Sequence, residues 1–579
     1  MNPRIDENPP QSAGPEPQRT SAVRPPIRSR RRAWVFRAAA VLLGLSPLLL
    51  VEAALRILGI GADLRLVVPS QTAPGWSQLN PLFDQPYYGQ ADLSGPEPRT
   101  FQLPKPPATR RILVVGGSTV IGFPYSSELA FPRHLEVALQ ARAKPGETIE
   151  VLNAGMTALN SSAEVAVVEE GLKADPDLIV VYTGHNEFYG PGGVASSSEW
   201  LNPEWYRFIA RWRRLYLLQA LSRITRPTRS SSDLIESLPG NVHIPLDGKL
   251  FDLAATRFEQ NMTAMAELSR AAGVPIVFVS PVANEHDQPP IEDLRELHSA
   301  GDAAWQQALR TGERELKEGN PEKAVTSLEA ARVGREADPL IRFRLAQAYE
   351  QTGRRELAIE QYQQALNLDG CRFRAPSVFR SRMAAVAARY TASGARFVDL
   401  HAEICRNEAA SVPGRMHFLE HVHFTWDGNR AVGDALAHCI TEQVWPESFS
   451  IEKPLDDVQF RSRLAVQQED HLAALTLAMM IYQRPPFRDG ADAEKLAASL
   501  AADSLTAFQQ LSPARSRLFS QLTTSEMAGD LMEALVRQCR SAEYDELLGP
   551  RLRAQVIRQP WNLHAREELS DWQRRHGVP

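Results

Sequence analysis

Four short clusters of small and polar residues carry the side chains in this sequence best suited to chemistry. The first is Gly116-Gly117-Ser118-Thr119. A nucleophilic serine at a strand-to-helix turn needs small neighbours, because the backbone turns sharply there and must leave the hydroxyl open. Taken alone, the same residues would equally make a glycine turn with a helix N-cap. The second and third clusters are Asn153-Ala-Gly155 and Gly184-His-Asn186-Glu187-Phe188. A glycine N–H and an asparagine amide, joined by the Ser118 N–H, are the fixed donors that an oxyanion hole requires. His185 and Glu187 flank Asn186 and point elsewhere if the strand period persists, so they are read as polar residues holding a strand end.

The fourth cluster lies far downstream, in Glu420-His-Val-His423-Phe-Thr-Trp-Asp-Gly-Asn429. If the His423 imidazole reaches Ser118, it can take the hydroxyl proton and return it to a leaving group, with a carboxylate to orient the ring. Glu420, three residues earlier, is the expected carboxylate, and Asp399 and Asp427 rank below it. His417, His421 and His423 alternate along the chain and would share one face of an extended segment, as metal ligands do. No matching histidine or carboxylate cluster accompanies them elsewhere, and neither a metal nor a cofactor is expected.

Positioning these clusters requires a scaffold, and the pattern from Arg110 onward supplies one. Short apolar runs at Ile112 to Val115, Ile149 to Leu152, Leu178 to Tyr182, Val274 to Val279 and Ala395 to Leu400 read as buried strands. Helical stretches at Phe131 to Ala143 and Ala163 to Lys173 separate them. Continuous apolar strands alternating with helices imply a parallel sheet covered on both faces. Ligands in such sheets bind beyond the carboxyl ends of the strands, where the first three clusters fall.

Gly-Gly-Ser118, Asn-Ala-Gly155, Gly-His-Asn186-Glu and Glu-x-x-His423 stand in the order of the four blocks of the SGNH hydrolases, also called GDSL esterases and lipases, which this chain resembles. The resemblance covers about Arg110 to Gly190, Val274 to Ser280 and Ala395 to Ala437. It implies a flavodoxin-like three-layer α/β domain that hydrolyses or transfers acyl groups on oxygen. Ser118 would be nucleophile and oxyanion donor, Gly155 and Asn186 would complete the hole, and His423 would be the base supported by Glu420. Gly117 and Glu420 both stand where the family usually has Asp. The first is outside the triad; the second needs a shifted backbone or another rotamer to reach the ring.

Around this core the sequence divides further. Residues 1–33 form a basic tail too poor in apolar groups to fold, and 34–60 are a transmembrane anchor. The uninterrupted apolar run Ala38 to Val51 is short for a span, which keeps a cleaved signal peptide as the competing reading. The arginine cluster Arg28, Arg30, Arg31 and Arg32 would stay inside, placing the rest on the exported side. Residues 61–109 are an entry segment, 110–303 and 371–450 the two parts of the hydrolase domain, and 451–579 a helical C-terminal region. In 304–370, Gly319, Ala324 and Ala331 recur as Gly353, Ala358 and Ala365, a period of 34 that resembles paired tetratricopeptide helical hairpins.

Net charge of −5 in 579 residues provides no basic field, and nucleic acid is excluded as a partner. Cys371, Cys405, Cys439 and Cys539 show no CxxC spacing; Cys371 and Cys405 could pair after export, but free thiols are the simpler state. The expected activity is a membrane-anchored serine esterase acting on acyl esters, acetyl among them. Transfer of the acyl group to a cell-surface carbohydrate hydroxyl uses the same residues. A third reading, from another class, is a surface scaffold whose helical hairpins bind a protein partner while the hydrolase fold serves as a frame.

Overall fold

A computed structural model describes residues 27–88, 95–196, 203–225, 243–292, 303–407, 412–449, 455–541 and 544–578. It contains two compact units, Met1–Gly61 and Ala62–Pro579. In the first, a helix spans Ile27–Ile57, starting inside the basic stretch that the sequence assigns to the tail, with Pro47 within it. Its stretch Trp34–Ile57 has a mean hydropathy of 2.1 and buries nothing, so it is long and apolar enough to cross a membrane. The expected unfolded tail otherwise falls on residues outside those described.

The second unit is a mixed α/β body. Three short strands, β1 (Val67–Pro69), β2 (Ser77–Leu79) and β3 (Thr100–Phe101), form an antiparallel sheet. Residues 61–109, read from sequence as an entry segment, thus carry structure of their own and bury Leu66, Leu79, Phe83 and Phe101 in the main core. Strands of two and three residues leave no periodicity for a sequence to display.

The main sheet is parallel and comprises β4 (Thr109–Gly116), β5 (Thr148–Gly155), β6 (Leu178–Tyr182), β7 (Ile276–Val279) and β8 (Ala395–Val398). Its order is β5-β4-β6-β7-β8. The chain winds outward from β4 in both directions, so a crevice opens between the ends of β4 and β6, the place where such sheets bind ligands. Strand residues alternate between two apolar cores. Leu113, Val115, Ile179, Val181 and Phe278 face helices Ser161–Gly171, Lys249–Ala272 and Ser377–Arg389. Ile112, Val114, Val180, Val277 and Val279 face helices Phe131–Gln140 and Trp426–Cys439. Burial on both faces is why these strands read as unbroken apolar runs.

Between β7 and the helix Ser377–Arg389 that leads into β8, the described residues include four helices, Ala303–Lys317, Pro321–Arg332, Pro339–Gln351 and Arg355–Leu368. Ala324, Ala331, Ala358 and Ala365 are all buried in their shared core, where small side chains let helices approach. Gly319 and Gly353 turn the two hairpins at φ of 73° and 76°, a conformation that favours glycine. The C-terminal helices from Asp457 to His576 include Leu563–His576, capped by the Asn562 side chain on the Ala565 N–H. They dock on the sheet domain through Trp561, whose ring stacks 4.3 Å from the Arg99 guanidinium, and Gln559, which donates to Glu128 at 2.6 Å. All four cysteines are free thiols.

Candidate active site

Ser118 is the first residue of a single-turn helix, Ser118–Ile121, that starts directly after β4. The geometry of this turn is set by glycine on two sides. A Cβ on Gly155, at the end of β5, would lie 2.3 Å from the Ile121 nitrogen, so only glycine lets the serine turn pack against that strand. A Cβ on Gly117 would lie 2.8 Å from Asn186 Nδ2. The missing side chain at 117 therefore leaves room for the Asn186 amide directly beside the serine.

The histidine segment folds as a tight antiparallel bend. The Leu419 N–H donates to His423 O at 2.9 Å, and Phe418 bridges Phe424. Thr425 then caps the helix Trp426–Cys439 by accepting from the Gly428 N–H. This arrangement carries His423 over the end of β4, where its Nε2 stands 2.8 Å from Ser118 Oγ. The two residues are 305 apart in the chain. Glu420 Oε1 contacts the other ring nitrogen, Nδ1. The same carboxylate accepts from the backbone N–H of His423 at 2.8 Å and of His421 at 2.7 Å. Those two amides hold Glu420 in place, which answers how a longer acid can support the ring: the loop wraps around it. With Nδ1–H turned to a carboxylate, Nε2 presents a lone pair to the serine hydroxyl. Burial lowers the His423 pKa from its ordinary 6.5, so the ring rests neutral and ready to accept a proton. The Phe123 ring packs edge-on against it at 4.8 Å between centroids.

The rival acids lie elsewhere. Asp399 accepts from the Ala402 N–H at the start of the helix Leu400–Asn407, and Asp427 is exposed on the first turn of Trp426–Cys439. Among the described residues, one group of metal-ligating side chains converges within 4.8 Å: Glu420, His421 and His423. His417, which the sequence put with them, is buried but not in that group. Both nitrogens of His423 already face protein partners, so a metal ion here would have to displace either Ser118 or Glu420.

The donors expected for an oxyanion hole divide differently. Asn186 Nδ2 donates one hydrogen to Leu159 O at 2.9 Å and retains a second. The Ser118 N–H opens a helix and has no acceptor within it. The Gly155 N–H, by contrast, donates to Asn153 Oδ1 at 3.0 Å, while Asn153 Nδ2 donates to Val120 O at 2.9 Å. In this geometry Gly155 contributes close packing, and its expected donor is occupied by a side chain two residues away. His185 and Glu187 are buried supports. His185 meets the Tyr182 hydroxyl and the Ala375 N–H, both at 3.2 Å, and Glu187 accepts from the Ser161 N–H at 2.9 Å. Burial pushes the Glu187 carboxyl up to about 7.

Asn284, just past the end of β7, escapes a motif search. Its N–H donates to His421 O at 2.9 Å and its Nδ2 to Glu420 O at 3.2 Å, pinning the histidine segment to the sheet. The only signal was its position, a polar residue beyond the fourth parallel strand. Two residues on, His286 bonds the Glu350 carboxylate of the inserted helices at 3.0 Å. Hydrogen bonds that the imidazole donates to the Asp287 and Glu350 carboxylates raise it to about 10, so it is charged and the pair is ionic. The insertion, the C-terminal helices and residues Phe418, Leu419 and Thr425 of the histidine segment together line a cavity of about 610 Å³.

No curated protein matches the chain in sequence. A tetratricopeptide repeat model matches residues 341–370, and this stretch, the second of the two inserted hairpins, is similar to a tetratricopeptide repeat.

Proposed function

We propose that the protein is a serine hydrolase of the SGNH type, acting on acyl esters through Ser118. The observation that carries this reading is the continuous chain from Glu420 through His423 to Ser118 Oγ, assembled from residues 305 apart at the crevice of a parallel sheet. A sheet order of second, first, third, fourth, fifth strand is that of flavodoxin-like folds, which agrees with the family resemblance.

In this mechanism His423 Nε2 takes the Ser118 proton as Oγ bonds to the ester carbonyl carbon. The Ser118 N–H and the free hydrogen on Asn186 Nδ2 stabilise the tetrahedral oxyanion, and Gly155 N–H joins them only if Asn153 lets it go. Collapse breaks the bond to the alcohol oxygen, which leaves with the proton from His423. Water, deprotonated by the same imidazole, then attacks the acyl-enzyme, releasing the acid and restoring Ser118. A carbohydrate hydroxyl in place of water makes the same chemistry an acyl transfer. The helix Trp34–Ile57 serves as a membrane anchor, with the arginines ahead of it on the cytoplasmic side and the catalytic unit exported.

A fluorophosphonate probe tests the reading directly. The wild-type chain should form a covalent adduct that disappears in Ser118→Ala and falls steeply in His423→Ala. A scaffold that keeps the fold without the chemistry would give no adduct in any of the three. Burst kinetics with a small acetyl ester, with and without sugar acceptors, decide between water and a hydroxyl as the second nucleophile.

A further inference from the structure

The helix Pro203–Trp212 wears its apolar residues on the wrong side for a protein surrounded by water. Its inner face buries Tyr206 and Ala210 at 4 % and 2 % exposure, as any docked helix would. Its outer face carries Trp205, Phe208 and Trp212, spaced three and four residues apart and hence aligned, at 58 %, 49 % and 51 % exposure. The three rings touch in series, with centroids 5.4 and 5.8 Å apart. Single exposed aromatics are ordinary, but a continuous ladder of three marks a surface that something covers.

Chain connectivity identifies what covers it. On the next helix, Tyr216–Thr225, Gln219 grips the backbone of Ala62 twice: the Ala62 N–H donates to Oε1 at 2.8 Å, and Nε2 donates to the Ala62 carbonyl at 3.0 Å. Ala62 follows Ile57, the end of the apolar N-terminal helix, by five residues. Five residues reach at most about 18 Å when fully extended. They are shorter than that here, since the Leu58 and Ile60 N–H groups still bond back to Ala54 and Leu55. Five residues of chain therefore separate the end of the apolar helix from the Ala62 backbone that Gln219 holds, and Trp212 is seven residues from Gln219.

We propose that the Trp205, Phe208 and Trp212 face lies in the interfacial zone of the bilayer that the N-terminal helix crosses. Tryptophan and phenylalanine are the residues that gain most from that zone, where a ring meets lipid and its edge stays wet. The arginines on the flanks are already engaged. Arg211 pairs with Glu169 at 2.7 Å and Arg214 with Glu170 at 3.1 Å. Aromatic insertion, rather than attraction of anionic headgroups, accordingly holds this face. The contact would fix the catalytic unit against the membrane at a second point beyond its tether, and the proposal rests on reading Trp34–Ile57 as an anchor.

The test reconstitutes the full chain in vesicles of phosphatidylcholine brominated near the headgroup, which quenches tryptophans at that depth. Trp34→Phe reports the anchor; the double substitution Trp205→Phe and Trp212→Phe reports the face. Both changes should lower the quenched share of the emission. If Trp34→Phe lowers it and the double substitution leaves it unchanged, the proposal is overturned while the anchor stands. If only the double substitution lowers it, the anchor reading falls, and the proposal of one bilayer shared by the helix and the aromatic face falls with it. No change in either overturns both.

Discussion

The inserted hairpins and the Ser118 site are built on opposite plans. The hairpins, Ala303–Lys317 with Pro321–Arg332 and Pro339–Gln351 with Arg355–Leu368, are adjacent pairs of helices whose packing partners are tens of residues apart. The site takes its serine from the end of β4, its amide from beyond β6 and its imidazole from a bend after β8. Local packing can be read from period and composition, whereas a catalytic constellation is specified by where a sheet happens to bring its strand ends. The first plan protects stability and the second protects geometry, so substitutions in the two regions should fail in different assays.

The sharpest contrast comes from Ser118→Ala or His423→Ala. Either should lower kcat for acetyl-ester hydrolysis on the order of 10⁴ to 10⁶-fold with an unchanged melting temperature. Glu420→Gln keeps the shape of the support but removes its charge, and should lower kcat by about 10³ to 10⁴-fold. Equal activity in that variant would transfer the orienting role to another acid. Asn186→Ala should reduce kcat by roughly 10² to 10³-fold with little change in KM, as expected of a donor that acts in the transition state.

In the hairpins, Leu345 is fully buried. Leu345→Ala should destabilise by about 2 to 5 kcal/mol, seen as a lower denaturation midpoint, with kcat preserved at temperatures where the chain remains folded. A fall in kcat without loss of stability would join the two regions into one functional unit, through the His286 to Glu350 pair.

The smallest effect is a shift along the pH axis. Because burial lowers the His423 pKa below 6.5, its base form persists as pH falls through that value, and the acid limb of kcat/KM should lie below 6.5. The linked stability has the same sign: a depressed histidine pKa favours the fold above 6.5 and loses that contribution as pH falls. Glu420→Gln removes the charge that favours the imidazolium, so the limb should move further toward acid.

Much of this was readable from residues alone. Leu178 to Tyr182 is apolar throughout because both faces of β6 are covered, and the strand occupies those five positions. The period of 34 placed Gly319 and Gly353 at two equivalent turns, although a repeat model matches only the second hairpin. What escaped were features without a period or a partner in sequence. The strands β1 to β3 are too short to alternate visibly, and they bury Leu79 and Phe101 all the same. Asn153 takes the Gly155 N–H, a relation between neighbours that a motif of three residues contains but does not announce. Asn284 binds a segment more than a hundred residues downstream, and only the fold creates that pairing.

The placement of the hairpins between β7 and β8 has a temporal consequence. As the polypeptide is made from its amino terminus, the serine appears first, then the repeats, and the imidazole only after both. A nascent or truncated chain ending within the repeats holds its hydroxyl without the imidazole proposed to take its proton. Reactivity would then be postponed until the last sheet strand and the bend after it have been synthesised and have docked.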